Sequence, residues 1–317
     1  MNKRIVVTGA AGYIGGITAL RLCDAGYAVT AVDRTPSAIF SQFQQLGIEC
    51  VTADFADYAV SDDVHAVIHC AGTSLVGPSI ANPGEYWHNN LVKTLMWLND
   101  MPRYTRVVFS SSAAVYGVQP CPIGEDATLM PISPYGDTKL AVERVLSAYG
   151  VAHGLDWVAF RYFNAAGADS QARWGQMGGA THVIARVLES IRDGSEFTIY
   201  GTEYDTLDGT AVRDYVHVDD IATAHLKAID SVDGRFNLPS GAYNLSTGVG
   251  HSVLDVIEVA QRVTGQAVVT RVGPNRVGDP DQLVANPTKL EVALGWKPSY
   301  NLETVVHDAW RWYCRDK

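Results

Sequence analysis

A tyrosine and a lysine four residues apart could carry out proton transfer. Tyr135 and Lys139 lie in the segment S-P-Y-G-D-T-K-L-A-V-E, and this spacing places both side chains on one face of a helix that begins after Pro134. A phenol has an ordinary pKa near ~10, and a nearby ammonium group stabilises its phenolate form. Tyr135 could then exchange a proton with a hydroxyl group at neutral pH. Incidental surface pairs show the same spacing, so other motifs must support this interpretation.

A cluster of hydroxyl groups precedes the tyrosine. The apolar run at 107–110 leads into S-S-S-A-A-V-Y-G, which places serines at the carboxyl end of a predicted parallel strand, where open α/β sheets bind their ligands. We expect Ser112 to form hydrogen bonds with the reacting hydroxyl and with the Tyr135 oxygen. Serines also cap helices and form turns, so this role depends on the neighbouring motifs.

A glycine-rich turn follows the first apolar run. In T-G-A-A-G-Y-I-G, the glycines Gly9, Gly12 and Gly15 have the spacing of a dinucleotide-binding loop. Glycines allow the backbone to approach a pyrophosphate, which the N-terminus of the following helix attracts. Strand-to-helix turns without a ligand are also rich in glycine, so the motif alone is a weak signal.

Two carboxylates refine the prediction of a dinucleotide site. Asp33 ends the second predicted strand, ~20 residues after the glycines, where it can accept from both ribose hydroxyls and repel a 2′-phosphate. This favours NAD over NADP, although Arg34 could accept a 2′-phosphate, stack on adenine or be solvated. Asp54 could take the adenine amino group or could cap a turn. The small residues at 70–72 close the fourth predicted strand and allow close approach of a cofactor.

The elements that position these residues follow an α/β pattern. Strands are predicted at 5–8, 28–32, 64–70 and 106–110, with a helix over 15–25. Strands that alternate with helices indicate a parallel sheet covered on both faces. We therefore predict a doubly wound α/β fold of the Rossmann type, with a smaller C-terminal α/β domain that binds the substrate.

The second half of the chain is less regular. We expect residues 1–165 to form the dinucleotide-binding domain and 166–317 the substrate-binding part, with segments around 213–250 returning to the first domain. The elements predicted here are a strand at 197–200 and helices at 253–263 and 302–313. Residues 273–287 have no clear period and are predicted to form a long loop, a kind of segment that is often functional.

Composition excludes several classes of protein. The net charge of −10 is spread over 317 residues without a basic run, so a nucleic-acid binder is not expected. Five scattered cysteines without a C-x-x-C pair argue against disulfides and structural zinc and favour a reducing cytoplasm. No leader and no apolar stretch near ~20 residues is evident, so neither export nor a membrane location is expected. The histidines lack metal-binding spacing, and no G-x-S-x-G elbow occurs.

Further motifs extend the pattern over nearly the whole chain. They are R-Y-F-N-A-A-G (161–167), Y-G-T-E-Y-D-T-x-D-G-T-x-V-R-D-Y-V-H-V-D-D (200–220), Y-N-L-S-T-G (243–248), R-V-G-D (276–279) and L-G-W-K-P (294–298). In this order, and together with the motifs above, they resemble the extended short-chain dehydrogenase/reductase family, and within it the UDP-hexose 4-epimerases. The block D-G-T-x-V-R-D-Y is the most specific of them.

The resemblance implies a reaction without net oxidation. A tightly held NAD would remove a hydride from C4 of a UDP-glucose or UDP-galactose while Tyr135 takes the O4 proton. The 4-keto sugar would then turn over and receive the hydride on its opposite face. The resemblance also implies a homodimer through helices that flank the Tyr135 helix, with residues 91–98 as another candidate face.

The resemblance also implies the site residues, position by position. The NAD contacts would be Gly9, Gly12, Tyr13, Ile14, Asp33, Asp54, Ala71, Gly72, Asn89, Ser110, Tyr135, Lys139 and Tyr162. The UDP-sugar contacts would be Ser112, Asn164, Tyr200, Arg213, Arg276 and Asp279. The two arginines suit a pyrophosphate clamp because guanidinium groups bind phosphate oxygens in pairs, although an isolated arginine more often forms a surface ion pair. Lys139 would lower the pKa of Tyr135.

Three departures from the family pattern leave the substrate open. Ser74 stands where many epimerases carry a lysine, and the stretch 170–180 lacks P-E-T-H-L-I-P, so a phosphate contact by His182 is left open. Leu283 stands where a bulky tyrosine restricts the sugar pocket in some members. The smaller residue leaves room for UDP-GlcNAc and UDP-GalNAc, and UDP-pentoses are also possible.

Two rival functions are less consistent with the residues. A sugar-nucleotide dehydratase of the same fold would carry an acidic pair beside the active-site serine, but Ala113 and Ala114 follow Ser112. A catalytically silent NAD-sensing protein would not need to keep Ser112, Tyr135 and Lys139 together.

Overall fold

The computed structural model describes residues 3–177, 181–232, 235–276 and 279–315. Its strands are, in chain order, β1 (Arg4–Thr8), β2 (Ala28–Asp33), β3 (Glu49–Thr52), β4 (Val64–His69), β5 (Arg106–Ser112), β6 (Trp157–Tyr162), β7 (Asn164–Ala166), β8 (Phe197–Tyr200), β9 (Val212–His217), β10 (Ser231–Val232), β11 (Arg235–Phe236), β12 (Gly241–Leu245), β13 (Gly250–Ser252), β14 (Thr270–Gly273) and β15 (Gln282–Leu283). Its α-helices are α1 (Tyr13–Asp24), α2 (Ala38–Gln45), α3 (Val76–Ala81), α4 (Pro83–Tyr86), α5 (Lys93–Asn99), α6 (Pro134–His153), α7 (Val183–Asp193), α8 (Val218–Ile229), α9 (Val253–Thr264), α10 (Thr288–Leu294) and α11 (Leu302–Tyr313). A π-helical turn (Trp87–Val92) joins α4 to α5, and short 3-10 helices cover Phe55–Asp57 and Ala113–Val115.

The main sheet has seven parallel strands in the order β12-β6-β5-β4-β1-β2-β3. Strands β1 and β5 are buried along almost their whole length, because helices cover both faces of the sheet. One apolar cluster lies under α1, α2 and α8, and a second lies under α5 and α6. The predicted doubly wound parallel α/β sheet is confirmed.

The bounds of some elements differ from the predictions. Strand β5 continues two residues past its predicted end because Ser111 pairs with Arg161, and Ser112 with Tyr162, on β6. The prediction of an uninterrupted loop over 273–287 is wrong at β15, which pairs with β9 and carries too few residues to show a period. Residues 277–278 of this stretch and 178–180 of the stretch 170–180 lie outside the described residues.

The chain after β6 builds smaller sheets beside the main one. Strands β13, β9 and β15 form one with β7 alongside, and β14 pairs with β8. A third apolar cluster joins α7, α9 and α11 to these strands. Strand β12 lies instead at the edge of the main sheet, beside β6. The division of the chain at residue 165 stays a prediction.

Two further observations bear on the environment of the protein. All five cysteines are free thiols. Within the described ranges, no helix combines the length and the apolar character that crossing a membrane requires.

Candidate active site

A cleft of about 1520 Å³ runs across the carboxyl ends of the main strands and continues between the smaller sheets. Every site residue predicted from the sequence lines this cleft. Ser74, His182 and Leu283, whose roles the sequence leaves open, line it as well. The residues that follow the strands of the main sheet lie close together because all parallel strands end at the same edge of the sheet.

The glycine-rich turn brings two backbone segments into contact. Gly9 has φ +68°, and a Cβ atom on it would lie 2.6 Å from the backbone nitrogen of Ala71. A Cβ atom on Gly15 would collide with the carbonyl oxygen of Gly9. Helix α1 begins after Gly12 without a side-chain cap or an acidic residue in its first turn. This turn therefore suits an anion that approaches the N–H groups of α1 closely.

The Asp33 carboxylate holds the glycine-rich turn against β2. Its Oδ2 accepts from the backbone N–H of Ala11 at 3.0 Å, and its Oδ1 accepts from that of Thr35 at 3.0 Å. Each oxygen keeps a lone pair for a further donor such as a ribose hydroxyl. Arg34 follows, exposed, at the edge of the cleft.

Asp54 caps a short helix, as the sequence allows, and its contact with the adenine amino group stays a prediction because Asp54 also lines the cleft. It caps a 3-10 helix by accepting from the N–H of Ala56 at 3.1 Å, and its Oδ2 lies 2.5 Å from the ammonium of Lys93. Burial alone would raise the pKa of Asp54, but the bonds to Lys93 and to Ala56 lower it overall. Sequence reasoning missed Lys93, which lies 39 residues away in the chain and belongs to no motif.

Tyr135 lies in the first turn of α6 and is partly exposed to the cleft. Its phenol lies near the side chain of Ser112 at the end of β5. The Ser112 oxygen also accepts from the N–H of Ala114 at 3.2 Å, which fixes its position. A substrate hydroxyl that enters here could contact both the serine and the tyrosine.

Lys139 lies one turn after Tyr135 and is 5% exposed. Its ammonium donates to the carbonyl oxygen of Ser110 at 2.7 Å and lies 5.8 Å from the centre of the Tyr135 ring. Burial lowers the pKa of Lys139 to about 8, against the opposing effects of Cys70 and Glu143.

The lowering of the Tyr135 pKa by Lys139 stays a prediction. Burial raises the pKa of Tyr135, the neighbouring Ser112 side chain opposes this rise, and Tyr86 adds to it. The Lys139 ammonium donates to the Ser110 backbone carbonyl, and its charge lies one helical turn from the phenol.

A buried ion pair supports the helix that carries Tyr135. Glu143 follows Lys139 by one turn on the same face, and its carboxylate accepts from the Arg161 guanidinium, with Nη2 at 2.6 Å from Oε2, and from Ser111 at 2.5 Å. Both members of the ion pair are 5% exposed. The pair thus joins α6 to β5 and β6 beneath the site. The repeat of Tyr135, Lys139 and Glu143 at intervals of four was a signal that sequence reasoning left unused.

Tyr162 belongs to a hydrogen-bonded chain whose direction can be assigned. The carbonyl oxygen of Ile221 can only accept, so the Nδ1 of His225, 2.8 Å away, carries the proton. The Nε2 of His225 then accepts from the Tyr162 hydroxyl at 2.7 Å, and the oxygen of that hydroxyl lies 2.9 Å from the Ser110 hydroxyl oxygen.

Other predicted cofactor contacts lie around the same end of the cleft. Tyr13 and Ile14 begin α1, Ala71 and Gly72 follow β4, and Asn89 lies in the π-helical turn. The Tyr13 hydroxyl donates to the carbonyl oxygen of Gly167 at 2.6 Å, which joins α1 to the loop after β7. The Asn89 amide donates to the Thr73 hydroxyl at 3.3 Å.

The opposite end of the cleft is lined by arginines. Arg213 on β9 donates to its own neighbour, the Val212 carbonyl, at 2.7 Å and to the Asp279 carboxylate at 2.5 Å. The Arg276 guanidinium lies over the Tyr200 ring, 4.4 Å from its centre. Cations in this end of the cleft suit an anionic group such as a diphosphate.

The remaining predicted positions frame the arginines. Asn164 donates its amide to the Asp214 carbonyl at 3.1 Å. Leu283 pairs with Arg213 in register on the neighbouring strand and packs against an apolar cluster that includes Ala113 and Leu140. The Nδ1 of His182 accepts from the Gln176 amide nitrogen at 2.5 Å.

Comparisons with known proteins agree with this geometry. The model of the NAD dependent epimerase/dehydratase family matches residues 5–245. A UDP-glucose 4-epimerase of Halalkalibacterium halodurans is 40% identical over 324 residues, which cover 98% of this chain and 95% of the relative.

Solved structures resemble the chain over its whole length. A UDP-glucose 4-epimerase of Stenotrophomonas maltophila, with bound NAD and formylated UDP-arabinopyranose, is 32% identical, covers 98% of both chains and has a TM-score of 0.90. That of Bifidobacterium longum, in complex with NAD+ and UDP, is 34% identical, covers 99% of both chains and has a TM-score of 0.90. The chain belongs to the NAD dependent epimerase/dehydratase family.

Proposed function

We propose that this protein interconverts UDP-glucose and UDP-galactose by epimerisation at C4, with NAD as its cofactor. The observation that carries the proposal is a single cleft that Ser112, Tyr135 and Lys139 line together with a glycine-rich turn and a cluster of arginines. The relatives that are 40% and 34% identical, and the ligands named for the related structures, support it.

The residues at the glycine-rich end fit NAD. The uncapped start of α1 and the contact of Gly9 with Ala71 form a close-fitting turn for a pyrophosphate, and Asp33 keeps lone pairs for ribose hydroxyls. A carboxylate at that position also disfavours the 2′-phosphate of NADP. When bound, NAD supplies an acceptor for the C4 hydride and a donor that returns it to the opposite face of the sugar.

The residues of the chain move the proton and hold the substrate. Tyr135 takes the proton from O4 and later returns it, while Ser112 orients the hydroxyl. Lys139 supplies positive charge near the phenol. The arginine end holds the UDP group firmly while the sugar remains free to turn, because a tightly bound sugar could not present both faces.

A direct assay tests the proposal. Purified protein is incubated with UDP-galactose without added NAD, and UDP-glucose is followed by anion-exchange chromatography or proton NMR. Conversion without added cofactor is the expected result and would indicate an epimerase that retains its NAD. Absence of conversion even with NAD supplied would contradict the proposal and favour a dehydratase or a non-enzymatic role.

The same assay determines which UDP-sugar the protein converts fastest. Leu283 lines the cleft and leaves room for a larger group, so UDP-GalNAc and UDP-xylose are run in parallel with UDP-galactose. Faster conversion of UDP-GalNAc or UDP-xylose would assign the protein to N-acetylhexosamines or pentoses instead of hexoses.

We further propose a cytoplasmic homodimer that acts in galactose metabolism, with the NAD-binding and substrate-binding parts divided near residue 165. Five free thiols support a reducing compartment. An exposed apolar face next to α6 supports the dimer and consists of Trp87, Val92, Leu95 and Met96. Light scattering of the purified protein is expected to give the mass of a dimer, and a clean monomer would contradict this part of the proposal.

A further inference from the structure

Arg186 is a basic side chain at the nucleotide end of the cleft that no sequence motif singled out. It lies on α7, whose first residues Val183 and Ile184 line the same cleft. Its guanidinium lies 5.7 Å from the centre of the Tyr200 ring. Arg276 contacts that ring as well, at 4.4 Å, so two guanidinium groups lie close to one aromatic ring.

Within the part of the chain that the structure describes, the guanidinium groups of Arg186 and Arg276 have no hydrogen-bonding or ion-pair partner. Apart from the contacts with Tyr200, neither forms a hydrogen bond or an ion pair with any described residue. Arg213 differs from both, because its donors are used by the Val212 carbonyl and the Asp279 carboxylate. Arg213 is 8% exposed and lines the same cleft.

The unpaired positive charges at this end of the cleft favour the binding of an anion. Asp279 offsets the charge of Arg213, which leaves two cations without a described counter-ion. The chain as a whole carries a net charge of −10, so an anionic ligand must be attracted by local positive groups. A diphosphate has oxygens for two guanidinium groups, and each guanidinium binds such oxygens in pairs.

We infer that Arg186 is a diphosphate-binding residue, which acts with Arg276 on the UDP moiety in the same cleft that Arg213 lines. This inference rests on the proposed function for the identity of the ligand. Tyr200 positions both guanidinium groups through its ring. The alternative role, in which Arg186 only supports Tyr200 beneath a base, makes a different prediction for ligands without phosphate.

Calorimetric titration of the NAD-loaded protein with UDP, UMP and uridine separates the two roles. Arg186→Gln is expected to weaken UDP binding roughly 10- to 100-fold, because charge-assisted hydrogen bonds are lost, and to leave uridine binding unchanged. Arg186→Lys should recover part of the affinity for UDP. Arg192→Gln is the matched control, since Arg192 lies on the same helix but outside the cleft and is paired with Asp193 at 2.7 Å.

Three results would count against the inference, and they have different meanings. An equal loss of UDP and uridine binding in Arg186→Gln would assign the side chain to the support of Tyr200. Unchanged UDP binding would show that Arg186 is not a ligand. A wild-type protein that binds NAD but no UDP would overturn the proposed function itself, and with it the ligand assigned to Arg186.

Discussion

Tyr135→Phe is expected to lower the turnover of UDP-galactose by about 10²- to 10⁴-fold. The substitution removes only the hydroxyl oxygen, which lies near Ser112 and is the group proposed to take the O4 proton. The ring keeps its edge contact with Tyr86, at 6.5 Å between ring centres, so the packing of α6 is preserved. Initial rates with saturating UDP-galactose measure the effect, and the affinity for UDP should stay within a factor of two or so of the wild type.

Tyr243→Phe is the matched control for the loss of a tyrosine hydroxyl. Tyr243 is 3% exposed, donates to the Pro239 carbonyl at 2.9 Å and lies on β12 outside the cleft. Its loss should cost roughly 1 kcal/mol of unfolding free energy and leave turnover unchanged. Similar losses of activity in both variants would mean that Tyr135 acts through stability, and full activity in Tyr135→Phe would refute its role as the acid and base.

Gly9→Ala is expected to produce protein that retains less than about a tenth of the NAD of the wild type, with a matching loss of turnover when no cofactor is added. Gly9 has φ +68°, and its new Cβ atom would lie within 2.8 Å of three backbone atoms of Cys70 and Ala71. No flexible side chain can move aside to relieve this contact. The turn must therefore shift away from the pyrophosphate position. Denaturation of the purified protein and enzymatic quantification of the released NAD measure the effect.

Gly47→Ala is the matched control for Gly9→Ala. It introduces the same strain of a left-handed backbone but no collision of the new Cβ atom with neighbouring atoms. Gly47 has φ +77°, but a Cβ atom on it would meet nothing within 4 Å. This variant should lose roughly 1–2 kcal/mol of stability through the left-handed backbone alone and keep its NAD. Retention of NAD by Gly9→Ala would contradict the role of the turn, and loss of NAD by both variants would indicate a general effect of destabilisation.

Much of the site could be predicted because its signals are local in the chain. The spacing of Tyr135 and Lys139 sets their common helix face whatever surrounds the helix. The glycines after β1 mark a turn that residues with side chains could not form. Apolar runs without alternation indicate strands buried on both faces, and parallel strands end at one edge of the sheet, so the residues after them must meet there.

The partners of the polar side chains could not be predicted in this way. Lys93 reaches Asp54, and the Lys139 ammonium reaches the Ser110 carbonyl rather than the phenol of Tyr135. Strand β15 exists because it pairs with β9, since two residues have no period of their own. Each of these outcomes depends on how remote segments approach in space, which leaves no pattern in the order of the residues.

The sequence by itself determined the parallel α/β sheet, the glycine-rich turn and the tyrosine helix, because period and spacing act within one element. Only the tertiary structure decided which cations remain uncommitted at the nucleotide end. Arg213 belongs to the most specific motif and yet pairs with Asp279, whereas Arg186 belongs to no motif and its guanidinium, near the Tyr200 ring, forms no hydrogen bond or ion pair with a described residue. The physical reason is that a guanidinium is free to bind a ligand only where no carboxylate lies beside it in space. The packing of α7, β8 and β9 determines which side chains lie side by side.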